Sequence, residues 1–301
     1  MSASGNDLPE RVLGEITRWV GDPFNESFMF QRPWQKLQEF SSSSQVKPSE
    51  ILESLTALST WYASKGIVEM LAGRSTEGLC DSFWCDLIYN TIMKRSFQGE
   101  QNQKKGSLLG SVLGRQQLKQ PKPRISFNDQ GLLLAKAFAL GLVSEGEAIG
   151  RDSLIGLRDR RFYGLSQDKL TPFVLRVFAK WKDIALTPEE FPFQIPDAYQ
   201  GLLHNLTREP DQIRTELAKA CDFHLSRSKE PTDRETYEFA DPVYAIYPVE
   251  VLMVFRIRQI LGLSNPEVDH PLLNSPLGQL PESGCSMNPS LKPILEKLER
   301  R

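Results

Sequence analysis

One run near the C-terminus constrains the fold more than any other stretch: Tyr247-Pro248-Val249-Glu250-Val251-Leu252-Met253-Val254-Phe255-Arg256-Ile257-Arg258-Gln259-Ile260-Leu261-Gly262-Leu263. Apolar side chains fall on almost every face of a helix drawn through it, the pattern of a central core element rather than a surface one. Pro248 suits the first helical position, where its missing N–H costs nothing, and Gly262 suits a left-handed C-terminal cap. The positions between them span about 21 Å at 1.5 Å each. Glu250 and Arg258 are the exceptions on this buried rod. They lie about 12 Å apart along its axis, too far to pair with each other, so each needs a partner from another element.

The rest of the chain repeats the helical period. Apolar residues recur at helical spacing over 7–21 (Leu8, Val12, Leu13, Ile16, Val20), 49–65 (Ile51, Leu52, Leu55, Leu58, Tyr62) and 76–97 (Leu79, Phe83, Leu87, Ile88, Ile92). Further helices are predicted over 129–142, 147–160, 171–181, 197–206 and 211–227. Asn128 or Asp129 caps the first of these, and the pair Thr171-Pro172 opens the third. The aromatic stretch 22–33 and the Pro-rich stretch 187–196 read as irregular connections. No alternating Val/Ile/Thr runs bounded by turn dipeptides occur, so no substantial sheet is expected. The prediction is an all-α, single multi-helix assembly of about ten helices: an N-terminal helical half (1–97), a basic connector (98–124) and a C-terminal helical half (125–301).

Composition narrows the function classes. With 36 basic and 38 acidic residues the net charge is -2, which gives the whole chain no field for or against nucleic acid. Residues 94–124 differ, carrying eight basic residues against Glu100 alone. That segment reads as a solvated connector or, alternatively, as an anion contact. No apolar stretch approaches the roughly 18 residues of a spanning helix, so no membrane partner is expected. Residues 1–7 have neither a positive start nor an apolar run, and four sparse cysteines (Cys80, Cys85, Cys221, Cys285) fit free thiols in a reducing cytoplasm.

Chemistry-bearing motifs are absent. No Gly-rich phosphate loop and no Gly-x-Ser-x-Gly elbow occurs. Cys221 and His224 share a helix face, but no second pair completes a zinc set. No catalytic group, metal or cofactor is expected. Glu250, Arg258, Asp269 and His270 are read as a structural polar core. Glu230, Asp233, Glu235, Glu238 and Asp241 cluster in the loop after the 211–227 helix, where an acidic surface could cover the basic cleft of a nuclease.

A helix opening on Pro248-x-Glu250 and closing on Arg258 and Gly262-Leu263, followed by Asp269-His270-Pro271-Leu272 and Pro276, resembles the C-terminal region of the immunity protein 49 family. These all-helical proteins are made by bacteria beside polymorphic or type VI secreted toxins. The likeness covers roughly 199–281, from Tyr199 through the helix carrying Ala220, Cys221, Asp222 and His224. It implies a cytoplasmic protein that binds and neutralises a cognate toxin, a nuclease by preference, without catalysis or direct nucleic-acid contact, and it marks the acidic loop as toxin-binding. The alternative is a helical enzyme or nucleic-acid-associated factor using residues 94–124.

Overall fold

Helices dominate the computed structural model of the chain, which describes residues 8–42, 46–106, 124–233, 235–282 and 284–299. The first, α1 (Leu8–Val20), buries Val12 and Ile16 one turn apart. The next stretch, expected to be irregular, is helical as well. Asp22 accepts from the Phe24 N–H to start α2 (Pro23–Glu26), and a π-helical turn (Ser27–Gln31) leads directly into α3 (Arg32–Ser42). Its aromatics are packing residues: Phe30 stacks on Trp34 and Trp61 and meets Tyr62 edge-on.

The two longest helices, α4 (Pro48–Leu71) and α5 (Glu77–Gly106), fold back on each other around Gly73, whose φ of +67° is a left-handed value suited to glycine. Their backbones touch, since a Cβ on Gly66 would lie 2.5 Å from the Leu79 nitrogen. Residues 107–123, the greater part of the basic connector and its glycine series, lie outside the described residues.

The second half begins with β1 (Ile125–Ser126), paired in parallel with β2 (Phe162–Tyr163), two residues each. Between them run α6 (Phe127–Ala139) and α7 (Val143–Arg158). The cap of α6 is Ser126, which accepts from the Asp129 N–H; Asn128 and Asp129 already lie inside the helix. The start of α8 (Leu170–Trp181) is capped by Asp168, whose carboxylate accepts from the Leu170 and Thr171 N–H groups. Thr171, expected as the cap, instead bonds to the Phe127 carbonyl and ties α8 to α6.

After α9 (Asp197–His204), α10 (Pro210–Ser226) and the short α11 (Pro242–Ile246) comes α12 (Val249–Ile260), the run singled out in the sequence. Nine of its residues are buried, from Val249 to Phe255 together with Ile257 and Arg258, and it packs chiefly on α6. Pro248 is its cap rather than its first turn, and Gly262 has φ +75°. The chain then passes a 3-10 turn (Pro276–Gly278) and ends in α13 (Lys292–Glu299). One cluster of buried apolar side chains runs from Val12 to Leu298. Among the described residues no helix is long and apolar enough to cross a membrane.

The expectation of four free thiols fails. Cys80 in α5 is bonded to Cys285 across a separation of 205 residues, while Cys85 and Cys221 are free and buried. Spacing along the chain carries no sign of such a link, because folding alone brings the two ends together.

Candidate functional site

The acidic loop follows α10 directly. Arg227, just past the helix end, organises it. Its guanidinium donates to Glu235, to Glu238 and to the Thr236 carbonyl, and it lies 4.6 Å from the centre of the Tyr237 ring. Hydrogen bonds from Arg227 and Tyr237 hold the Glu235 carboxyl below its usual value. Phe239 anchors the loop inward by stacking on His224 at 3.7 Å.

The five predicted acids therefore divide. Glu230 and Asp233 are exposed and make no ion pair among the described residues, and Glu235 is exposed but held by Arg227. Glu238 is not a surface group. It is 5% exposed, its second oxygen accepts from the Lys169 N–H at 2.8 Å, and it serves the junction with α8. Asp241 caps α11 by accepting from the Val243 N–H, and desolvation raises its carboxyl above the usual value.

Glu250 and Arg258 find the separate partners that their spacing demands. Glu250 Oε1 lies 2.8 Å from His224 Nδ1 and accepts from the Tyr199 hydroxyl at 3.4 Å. All three side chains are fully buried, so this group joins α9, α10 and α12 and has no route to a substrate. Arg258 donates to the carbonyls of Leu206, Arg208 and Ser264 at 2.7, 2.8 and 2.6 Å, tying the chain beyond α9 to the chain beyond α12. The guanidinium fork suits this work, since it offers five donors in fixed geometry.

His270 is buried and Asp269 is not. The Leu272 N–H donates to His270 Nδ1, which leaves Nε2 to donate to Asp222 at 3.4 Å. Burial pushes the imidazole below its ordinary value, with Asp222 opposing. Asp269 is exposed and accepts from the Asn274 amide, so it falls outside the polar core that the sequence assigned to it.

A third feature escaped the sequence reading. A cavity of about 270 Å³ opens between α4, α5, α6 and α11, with Asp86, Asp129 and Asp241 on its walls beside Ser59, Ser82, Tyr89 and Tyr244. Beneath it lies Lys136, fully buried, donating to Ser82 Oγ at 2.6 Å and to Asp86 at 3.1 Å. Ser82 Oγ is 3.0 Å from Ser59 Oγ. The signal was present: a lysine on the apolar stripe of α6 must find a partner inside the core. A larger hollow of about 680 Å³ lies between the α4–α5 turn and residues 281–289, with the disulfide on its wall.

The basic segment contributes little to the described part. Lys94 is paired with Asp152, which also takes Arg161. No protein-family model, curated protein or solved structure matches the chain.

Proposed function

We propose that the protein is an immunity factor that binds a cognate toxin in the cytoplasm and blocks it by direct contact, with no chemistry of its own. The observation that carries this reading is the loop after α10. Glu230 and Asp233 stand exposed on a backbone that Arg227 fastens at Glu235, Thr236 and Glu238. A negative surface fixed in advance loses little entropy on binding and steers a basic partner toward it. The partner that suits it is a toxin with a basic cleft, a nuclease in the first place. The contacting acids are Glu230, Asp233 and Glu235, while Glu238 and Asp241 hold the loop from behind.

The closed His224–Glu250–Tyr199 group supports the same reading, because buried groups without solvent access position helices rather than turn over substrate. The alternative, an enzyme or nucleic-acid factor using residues 94–124, has Lys94 already committed to Asp152.

The test is co-expression with the product of the neighbouring open reading frame, scoring growth and co-purification. Rescue with a stable complex is expected. The double change Glu230→Lys, Asp233→Lys should weaken the complex about tenfold or more, equivalent to about 1.4 kcal/mol, with most of the loss in association rate at low salt. Rescue without a complex, or unchanged affinity in the double variant, would overturn the reading.

A further inference from the structure

The Cys80–Cys285 bond lies on the wall of the open hollow of about 680 Å³, with the α4–α5 turn on one side and residues 281–289 on the other. We propose that this bond is a redox latch: a small thiol entering the hollow opens it and releases residues 281–290 as a loop, while the helices beneath stay folded.

The way this strap is held is the first argument. At its start Arg256 donates to the Pro281 carbonyl at 3.1 Å, and beyond its end Leu291 and Ile294 are buried in the core. Between these two pins, among the described residues, 280–287 make no backbone–backbone hydrogen bond, and Glu282, Gly284, Ser286 and Pro289 are exposed. The middle is fastened by the bond at Cys285, by Asn288 donating to Asp81 at 3.1 Å, and by the packing of half-buried Met287. A segment with few backbone bonds and little buried surface opens at low free energy, so the covalent link decides whether it opens.

Access sets the direction of attack. Cys80 is only 4% exposed on α5, whereas Cys285 is half-buried on the strap, so an incoming thiolate meets the Cys285 sulfur first. A new bond forms to Cys285 Sγ as the Sγ–Sγ bond breaks, and the electron pair leaves on Cys80, which takes a proton from water. A second thiol then displaces the first from Cys285, giving a small disulfide and two protein thiols. The nucleophile has to come from outside the chain. Cys85 and Cys221 are buried, and burial pushes both thiols up, away from the reactive thiolate. The hollow has the volume of a small-molecule site. Release of the strap leaves Arg74, Ser75 and Thr76 of the α4–α5 turn open on that side, so the thiol content of the surroundings is read out as a change of surface.

Two measurements on the full chain test this, and neither involves a toxin. In the first, the purified protein is treated with 2-mercaptoethanol, quenched in acid at successive times and mapped by mass spectrometry. The first adduct is expected on Cys285, with Cys80 a free thiol. In the second, a glutamyl endopeptidase is applied with and without the reductant. Cleavage after Glu282 should quicken about tenfold or more on reduction, while cleavage after Glu235 and Glu267, exposed in loops that the bond does not join, keeps its rate. Cys285→Ser should be cut after Glu282 as fast as the reduced wild type, with or without reductant; the reduced wild type carries the test if this variant does not fold. An adduct first on Cys80, unchanged cleavage after Glu282, or a purified chain with no bond to reduce overturns the proposal. Cleavage quickened alike at all three sites overturns it too, since the bond would then be a staple on the whole fold rather than a latch on one strap.

Discussion

At Asp168 burial and hydrogen bonding pull a carboxyl group in opposite directions. Thr171 Oγ1 lies 2.8 Å from the Phe127 carbonyl and donates to Asp168 Oδ2 at 2.5 Å. Burial is the larger effect and raises Asp168 from 3.8 to about 6, against the hydrogen bonds from Thr171 and Leu170. Below the unfolded value both states are protonated and nothing is lost. As pH climbs to about 6 the unfolded chain ionises freely and the folded one resists, so stability falls by about 3 kcal/mol in all, at about 1.4 per unit. Asp168→Asn should remove that slope, since its amide N–H donates to Thr171 and its oxygen still caps α8. Urea unfolding at pH 4, 5, 6 and 7 should show the variant gaining about 3 kcal/mol on the wild type as pH rises; a constant difference would refute the assignment. Such residues were poorly legible in the sequence. Glu250 and Arg258 announced themselves as charges on a rod apolar all round. Lys136 passed unnoticed because one lysine on an amphipathic helix usually lies at its edge, and Glu238 was read as exposed because nothing in a loop's sequence shows that Arg227 and Lys169 will enclose one of its acids.

Between elements, α4 and α5 meet backbone to backbone, and glycines in α4 and α1 give two substitutions of opposite sign. A Cβ on Gly66 would lie 2.5 Å from the Leu79 nitrogen and 2.8 Å from the Gly78 carbonyl carbon, all backbone. Neither helix can yield there without moving as a whole, so Gly66→Ala should cost at least about 1–3 kcal/mol, as overpacking does. Gly14, exposed inside α1, has nothing within 4 Å of its added Cβ. There Gly14→Ala should stabilise by about 0.4–1 kcal/mol, through helix propensity and a less disordered unfolded chain. Chemical denaturation of the two variants in parallel checks both signs, and a stable Gly66→Ala would deny the backbone contact. The long helices were legible for the same physical reason that they pack: a stripe at 3.6-residue spacing has to be buried. The region from α2 to α3 was not, because the π-helical turn at Ser27–Gln31 inserts an extra residue per turn and shifts the apolar stripe out of phase. Caps were misplaced by a few residues where several Ser, Thr, Asp and Asn stood in a row, as at Ser126 to Asp129, since each can accept from the next N–H and only the backbone angle decides.

On the scale of the whole molecule, the C-terminal segment closes the fold by returning to its first half. Asn288 donates to Asp81 at 3.1 Å, Lys297 reaches the Phe40 carbonyl, and Cys285 is bonded to Cys80. Four cysteines admit three full pairings and several partial ones, so the sequence left this bond undetermined, and a reading based on compartment favoured none. Closing a ring of this size restricts the unfolded chain severely; loop entropy alone corresponds to about 5 kcal/mol. Reduction, or Cys80→Ser, is therefore expected to lower the free energy of unfolding by about 2–5 kcal/mol, with the variant indifferent to reductant. The thiol count bears on the place of action as well. Alkylation under denaturing conditions without reductant should label Cys85 and Cys221 alone, and all four cysteines once reductant is added. Trapping thiols at the moment of cell lysis then joins the bond to the proposed function. Two labelled cysteines there would place the working protein in an oxidising compartment and set it against a cytoplasmic toxin. Four labelled at lysis but two in the purified protein would mean that the bond closes only on exposure to air, leaving cytoplasmic neutralisation with a looser C-terminal segment. Four labelled in both would refute the bond itself.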